Sequence, residues 1–401
     1  MTAKQYDVIL YGATGFTGTQ AARYMERAAP EGLRWAIAGR NEAKLNQMAE
    51  ALSGVAGVVV ADSTDPASIE AMVAQTRVVM TTAGPYALYG EPVIAACVKQ
   101  GVDYADITGE STFIRRMIDR YHDDAAEAGV RIVPFCGFDS IPSDIGTLMM
   151  VNHLRAAGLT CRRVWGYFKM KGGGLNGGTL ASALNMIKQD GADALESPFL
   201  LNPDRTGPAD FIPDLTRPRE VKALGGWGAP FFMAPVNSRV VRRSAALSAS
   251  WGEPYGEGFD YMEALGPVPL GQARMIAVGM GLVSATAGFT ALHGLASRFG
   301  PAPGEGPSEE QMASGALTGR FIAEATDGQR FLGSFKAQGD SGNRVTTMLL
   351  SESAMAMALQ RDALPGGAGR GGVLTPATAL GDVLIARLKD AGVAMGVESL
   401  A

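Results

Sequence analysis

Three glycines near the start of the chain have a spacing that can hold a phosphate group. Gly12, Gly15 and Gly18 stand in YGATGFTG, between the apolar run YDVIL and the helix-like TQAARYMERAA. A strand that turns into a helix directs unpaired backbone N–H groups and the positive end of the helix dipole at the turn. We therefore predict a pyrophosphate site here, with an ordinary tight turn as the alternative. Its residues are Gly12, Thr14, Gly15, Phe16, Thr17 and Gly18.

A basic residue follows the second apolar strand, LRWAIAG, at the distance where dinucleotide folds contact the adenosine ribose. A carboxylate here would bind the ribose hydroxyls of NAD, whereas the guanidinium of Arg40 suits a 2′-phosphate. The sequence thus predicts NADP(H), unless Arg40 is only a solvated residue at a helix start. Asp62 ends the third strand, GVVVAD, and is predicted either to contact the adenine amino group or to cap the next turn.

Two side chains on the same predicted edge can supply a proton. Reduction of a polarised C=C or C=N bond needs a hydride, a donor to the developing negative charge and a proton source. Tyr86 in TTAGPYALYG and Asp139 in PFCGFDSIPSD follow predicted strands and are the candidate catalytic residues, with Asp139 either the acid itself or the residue that orients it. Packing of a buried aromatic ring is the alternative for Tyr86. The turn residues Ala83, Gly84 and Pro85 are predicted to contact the cofactor.

Further polar residues could bind the substrate. A second glycine turn, GGGLNGGTLAS, could hold a phosphate or carboxylate, including the pantetheine arm of a carrier-bound acyl chain. VVRRSAAL reads as a strand, on which the adjacent Arg242 and Arg243 point to opposite faces, so at most one of the two is expected to face inward. Tyr104 and Asp106 alternate in YADI, so we expect them to share a face and to have a structural role. The predicted substrate-binding residues are Tyr89, Ser140, Asn176, Asn237 and Arg242.

Strand-like and helix-like segments alternate six times over about the first 140 residues. This pattern predicts an α/β fold, a doubly wound parallel sheet of the Rossmann type with its ligand crevice at the carboxyl ends of the strands. Residues 1–150 are the predicted nucleotide-binding domain. Residues 151–345, rich in Gly and Pro, are a predicted α+β domain for substrate binding and dimerisation. Residues 346–401 are predicted helices that pack back on the first domain.

Composition narrows the class of protein. The chain has 401 residues and a net charge of -5 without basic clusters, which argues against nucleic acid as a partner. Its three histidines lack metal-ligand spacing, so no metal site is expected. Three separated cysteines and no visible export signal favour a reducing cytoplasm.

The stretch 275–292, MIAVGMGLVSATAGFTAL, carries no charge over 18 residues. That length is at the lower limit for a membrane-spanning helix. Ala277, Gly281 and Ala285 repeat at intervals of four, a spacing that lets helices approach closely. A buried or dimer-forming helix is favoured, ahead of a lipid-facing segment with peripheral membrane contact and of a true span.

The motifs together resemble those of a known family. YGATGFTG, IAGRN, TTAGPYALYG, YADITGE, PFCGFDSIPSD, GGGLNGGTLAS and GGVLTPATALGD are similar to saccharopine-dehydrogenase-like oxidoreductases, and most of all to the trans-acting enoyl reductases. The resemblance covers nearly the whole chain and implies NADP(H)-linked reduction of an enoyl or related lipid-like substrate, free or carrier-bound, by a homodimer. An opine-type C–N dehydrogenase and a non-catalytic NADP(H)-binding protein are the alternatives. The first would need a dense cluster of Arg and Lys, which is thin here.

Overall fold

Two seven-stranded sheets form the core of the molecule, as seen in a computed structural model that describes residues 4–172, 197–286 and 305–400. The first sheet is parallel, with the order β13-β6-β5-β4-β1-β2-β3. Its strands are β1 (Tyr6–Tyr11), β2 (Trp35–Gly39), β3 (Val55–Val60), β4 (Thr76–Thr81), β5 (Asp103–Asp106), β6 (Arg131–Val133) and β13 (Gly372–Val373). The predicted doubly wound sheet is confirmed, because β1 to β6 follow the dinucleotide-binding order 3-2-1-4-5-6.

Helices connect these strands and cover the sheet. They are α1 (Phe16–Ala28), α2 (Glu42–Glu50), α3 (Pro66–Val73), α4 (Tyr86–Tyr89), α5 (Glu91–Gln100), α6 (Ser111–Glu127) and α7 (Ile141–Ala156). Every residue of β1 is buried, as expected for a parallel strand with helices on both faces.

The second sheet is mixed, with the order β14-β12-β11-β7-β10-β9-β8. Its strands are β7 (Cys161–Lys171), β8 (Arg219–Val221), β9 (Gly226–Ala229), β10 (Asp260–Val268), β11 (Ala316–Ala325), β12 (Arg330–Gln338) and β14 (Ala394–Ser399). Within this second sheet, β7 and β10 pair in parallel, and the other described pairs are antiparallel. The remaining helices are α8 (Ala234–Ser250), α9 (Leu270–Thr286), α10 (Glu309–Ala313), α11 (Thr346–Leu359) and α12 (Pro376–Asp390), with short helical turns at Lys222–Leu224, Ser341–Val345, Arg361–Ala363 and Gly367–Gly369.

The end of the chain joins the two sheets. Helix α11 packs against α1, β4 and β5, and α12 packs against α7 and α11. Strand β13 extends the first sheet beside β6, whereas β14 extends the second beside β12. The last segment therefore contributes a strand to each sheet, in addition to its predicted helices.

The strand predicted at VVRRSAAL is wrong, because these residues lie in the middle of α8. Two adjacent valines favour a strand by propensity, but Pro235 in the first turn starts a helix that contacts β10, α7 and α12. Arg242 and Arg243 are both buried, at 3% and 1% exposure, so the expectation that only one faces inward is also wrong. Tertiary packing has overridden a local preference.

The uncharged stretch from residue 275 is described only as far as the end of α9 at Thr286. Met275, Val278 and Leu282 are 70%, 73% and 66% exposed, so this part is not a buried helix of the monomer. Within the described ranges, no helix is long and apolar enough to span a membrane. Dimer and lipid contacts through this stretch stay predictions.

Candidate functional site

The crevice lies between the carboxyl ends of β1 and β4. Strands β2 and β3 are added on one side of β1 and strands β4 to β6 on the other, so this is the point where the strand order changes direction. The two turns touch there. A Cβ atom placed on Gly12, whose φ is +83°, would lie 2.9 Å from the backbone N of Ala83. Thr82 donates its N–H to the Tyr11 carbonyl (2.9 Å) and its hydroxyl to the Gly12 carbonyl (3.2 Å). This is the position at which doubly wound sheets bind ligands.

The three glycines of the first turn have three different environments. Gly12 needs its positive φ and its close contact with Ala83, while a Cβ on Gly18 would lie 2.2 Å from the Gly12 carbonyl oxygen. Gly15 is exposed, its φ is −75°, and a Cβ there would meet only the Gly12 oxygen at 3.4 Å. Protein packing thus accounts for two glycines, and only Gly15 leaves open space in front of the helix.

The start of α1 has the properties of an anion site. Gly15 is the N-cap, no side chain caps the helix, and its first turn holds no acidic residue. Unpaired N–H groups at a helix start bind phosphate groups. Thr14 and Thr17 are partly exposed beside it, and Phe16 packs near Gly306. The residues present therefore fit a dinucleotide pyrophosphate.

Arg40 and Asp62 lie on the β2 and β3 side of this turn. Arg40 is exposed directly after β2, and the Thr14 hydroxyl lies 4.0 Å from the position of a Cβ on Gly39. Asp62 accepts hydrogen bonds from the Thr64 N–H (2.9 Å) and hydroxyl (2.8 Å), which, with the charge of Arg40, lower its pKa. It thus holds its own turn, while Asp65 rather than Asp62 caps α3.

Tyr86 lies at the β4 end but faces inward. It is 4% exposed and its phenol donates to the Thr81 carbonyl at 3.2 Å. Burial, together with the nearby charge of Asp106, raises its pKa well above the usual range. This placement argues for the packing alternative and against a proton donor. Ala83, Gly84, Pro85 and Tyr89 remain at least partly exposed around it.

Asp139 is an acidic side chain at this edge that lacks a polar partner among the described residues. It follows β6, is partly exposed, and has no hydrogen bond or ion pair to another described residue. Although part of the residue is exposed, the surrounding protein shields its carboxyl group from water, and this burial raises the pKa of Asp139 to about 7. One carboxylate oxygen lies 3.5 Å from the position of a Cβ on Gly109, in the loop after β5. Such a carboxyl group holds a proton near neutral pH and can release it.

Two neighbours of Asp139 differ in their contacts. Ser140 is fully buried, and its hydroxyl has no hydrogen-bond partner among the described residues. Asp144, in the first turn of α7, accepts from the Ser244 hydroxyl (2.5 Å) and from the Ala377 N–H (2.8 Å). Asp144 thus joins three helices, α7, α8 and α12.

The predicted substrate residues of α8 are committed to internal contacts. Asn237 donates its amide to Glu263 at 2.7 Å, although its own amide oxygen has no partner within the described ranges. Arg242 pairs with Asp260 at 2.9 Å and donates to the carbonyls of Pro198, Ile212 and Tyr261. Their roles in substrate binding stay predictions that these contacts do not favour. Asn176 and the second glycine turn lie outside the described residues.

Sequence reasoning missed two buried carboxylates. Glu263 accepts from the Ser143 hydroxyl (2.6 Å) and the Tyr261 hydroxyl (2.7 Å), and burial raises its pKa to about 7. Glu110 accepts from two backbone N–H groups of α4. The partners of Glu110 and the Ser143 partner of Glu263 are distant in sequence, so no local pattern marks those contacts. The Tyr261–Glu263 pair, by contrast, has the same two-residue spacing as Tyr104 and Asp106 and could have been found from the sequence. Tyr104 and Asp106, which were expected to share a face and to have a structural role, are both buried, and the Tyr104 hydroxyl donates to Asp106 at 2.7 Å.

The described ranges contain no cluster of His, Cys, Asp and Glu that could hold a metal ion.

Comparison with known proteins agrees with this geometry. Residues 8–133 match the family model of the saccharopine dehydrogenase NADP binding domain. A protein of Mycobacterium tuberculosis strain H37Rv, named provisionally as a trans-acting enoyl reductase, is 40% identical over 100% of this chain and 99% of its own length. A trans-acting enoyl reductase of Mycobacterium bovis BCG is 36% identical over 99% of each chain.

Among solved structures, apo saccharopine dehydrogenase (L-Glu forming) from Saccharomyces cerevisiae aligns over 99% of this chain and 100% of its own, with a TM-score of 0.53 and 14% identity. That likeness shows the fold alone. The relatives show the family over the full length. The chain belongs to the trans-acting enoyl reductases, NADP-dependent oxidoreductases with a nucleotide domain of the saccharopine dehydrogenase type.

Proposed function

We propose that this chain reduces the C=C bond of an enoyl, lipid-like substrate, with Asp139 as the proton donor. The observation that carries the proposal is the Asp139 carboxyl group, which has no described protein partner and a pKa of about 7, at the edge where the nicotinamide end of a dinucleotide would lie. NADPH supplies the hydride when bound. The substrate then gains the hydride at one carbon and a proton at the other, and Asp139 delivers that proton.

Binding of the cofactor is assigned to the chain's own residues. The N–H groups at the start of α1 hold the pyrophosphate, and exposed Gly15 allows its approach. Arg40 binds the 2′-phosphate through charge-assisted hydrogen bonds. Asp62 borders the adenine side, and the turn of Ala83, Gly84 and Pro85 contacts the nicotinamide ribose.

The arginines of α8 are paired inside the protein, which favours an enoyl substrate over the carboxylate-rich substrates of an opine-type dehydrogenase. An opine-type enzyme must hold several carboxylates with free basic groups. Arg242 is paired with Asp260, and Arg243 donates to the carbonyl groups of Leu201 and Val373. These guanidinium groups are thus already used inside the protein, as buried charges must be.

The deciding experiment follows NADPH oxidation with two substrate panels. One contains enoyl thioesters of increasing chain length, free and on a carrier protein, and the other contains pairs of a 2-oxo acid and an amino acid. We expect turnover with the enoyl panel only. Turnover restricted to the second panel would assign the C–N dehydrogenase, and NADPH binding without turnover on either panel would favour the non-catalytic alternative.

The same proposal includes a homodimer, a carrier-bound acyl chain as substrate and peripheral contact with a membrane surface. The exposed apolar side chains of α9 are compatible with a second copy or with lipid. Sedimentation with and without anionic vesicles separates these arrangements.

A further inference from the structure

A buried carboxylate far along the chain holds the turn that follows β4. Glu110 is 3% exposed, and its two oxygens accept the backbone N–H groups of Tyr86 (2.9 Å) and Ala87 (2.8 Å). These are the first two residues of α4, whose N-cap, Pro85, offers no side-chain hydrogen bond. The helix is therefore capped from a different strand end rather than by its own neighbour.

The loop that carries Glu110 is itself fixed. Asp106 accepts the Thr108 N–H at 2.9 Å, and the Thr108 hydroxyl accepts the Glu110 N–H at 3.0 Å. Glu110 is also the N-cap residue of α6, where its carbonyl accepts the Ile114 N–H at 3.1 Å. Successive hydrogen bonds thus tie the Glu110 backbone to the end of β5, so its carboxylate has a defined position.

The same loop touches the proposed acid. Gly109 precedes Glu110 and lies against the Asp139 carboxylate, so any side chain at residue 109 would meet it. One short loop therefore contacts the α4 turn on one side and Asp139 on the other. In the proposed reaction the hydride donor and the proton donor must reach adjacent carbons of one substrate, so the spacing between the α4 turn and Asp139 bears directly on the rate.

We propose that Glu110 is a positioning residue that sets the turn of residues 84–87, and with it the nicotinamide, relative to Asp139. The expected effect on hydride transfer rests on the proposed function, whereas the expected effect on the position of the α4 turn does not. Loss of the carboxylate leaves the buried Tyr86 N–H and the partly buried Ala87 N–H without their charged acceptor, which frees α4 to move. The residues assigned to the adenosine half of the cofactor, the start of α1 and Arg40, do not contact Glu110, so we expect binding of that half to be unaffected.

The test compares whole and truncated cofactor in Glu110→Gln, which keeps the volume and one acceptor oxygen. Binding of NADPH and of 2′,5′-ADP is measured by calorimetry, and hydride transfer is measured in a single turnover. We expect about a tenfold weaker NADPH affinity, unchanged 2′,5′-ADP affinity, and hydride transfer slowed about 10- to 100-fold. Glu91→Gln is the matched control, since Glu91 contacts Arg120 and Tyr121 nearer the surface.

Equal affinities of variant and parent for both ligands, with unchanged hydride transfer, would overturn the positioning role. So would an equal loss of both affinities, which marks a general disturbance of the fold. If Glu110→Gln does not fold, Glu110→Asp keeps the charge but is too short to reach both N–H groups, and the same pattern is expected. The two binding measurements need no substrate, so they test Glu110 even if no enoyl compound is reduced.

Discussion

The crevice edge of the first sheet and the buried polar groups between α8 and β10 both contain charged side chains, but those at the crevice lack hydrogen-bond partners among the described residues and those between α8 and β10 have several. At the crevice, Gly15 and Arg40 are exposed and Asp139 has no described hydrogen-bond partner. Under the second sheet, Arg242 and Glu263 are 3% and 0% exposed, and each has at least three polar contacts inside the protein. Groups that the fold leaves unsatisfied are those available to a ligand, whereas satisfied groups hold the fold together.

The largest effect is expected on catalysis from Asp139→Asn. The amide keeps the volume but cannot deliver a proton, so single-turnover reduction should fall by roughly 10²–10⁴-fold. In the parent, activity should decline as pH rises through about 7, where Asp139 loses its proton, and the variant should lack this decline. The control is Asp327→Asn in an exposed turn. An unchanged rate would move the proton source to water or to the second domain.

The same variant tests the pH dependence of stability. Because the folded pKa of Asp139 lies above that of an unfolded aspartate, the folded state binds the proton more tightly. Stability of the parent should therefore fall between about pH 4 and about pH 7. Asp139→Asn should raise Tm relative to the parent at pH 8 and not at pH 4, as measured by thermal unfolding.

Next in size is the effect of Arg242→Met on stability. It leaves the Asp260 charge buried without its partner, so the free energy of unfolding should fall by about 3–5 kcal/mol in denaturant titration. NADPH affinity of the folded variant should stay unchanged. Arg330→Met, which removes an exposed pair with Glu324, should cost at most about 1 kcal/mol. A raised KM at full stability would instead restore Arg242 as a substrate-binding residue.

Gly15→Val should weaken NADPH binding without unfolding the protein. The new side chain fits the protein but occupies the approach to the helix start. Loss of two hydrogen bonds to a charged group, at about 1.5 kcal/mol each, corresponds to an affinity loss on the order of 100-fold. Gly396→Val, in open space on β14, is the control. Affinity retained in a folded Gly15 variant would place the cofactor elsewhere.

A smaller change is expected in cofactor preference from Arg40→Asp. Loss of a charged hydrogen bond of about 1.5–3 kcal/mol should reduce the preference for NADPH over NADH by roughly 10- to 150-fold. Arg27→Asp, at the exposed end of α1, should leave the ratio unchanged. Titration of both nucleotides measures it, and an unaltered ratio in the Arg40 variant contradicts the assignment.

Tyr86→Phe should have the smallest effect. Its hydroxyl donates one neutral hydrogen bond to the Thr81 carbonyl, so stability should fall by about 0.5–1.5 kcal/mol. Hydride transfer should remain near the parent rate. A loss of 100-fold or more in single-turnover reduction would show that Tyr86, not Asp139 alone, supplies the proton.

The sequence by itself determined the first sheet, the glycine turn and the family. Alternating strands and helices have short-range periodicities, and G-x-x-G-x-x-G is a local requirement of one turn. It also placed Arg40 and Asp139 at strand ends, because the carboxyl ends of parallel strands share one edge.

Only the tertiary structure decided which of these residues are buried in protein contacts and which remain accessible to a ligand. Arg242 and Arg243 occur in a sequence that suits a strand, yet packing against β10, α7 and α12 makes it a helix with both residues buried. Gly15 and Gly18 cannot be told apart in the sequence motif. In the structure, Gly18 packs against the Gly12 carbonyl and has no room for a side chain, whereas Gly15 leaves space for a ligand. Glu110 holds Tyr86 from 24 positions away, and Asp139 owes its raised pKa to burial by the surrounding fold. Burial and partner contacts are properties of the folded chain, so residue type and local spacing do not encode them.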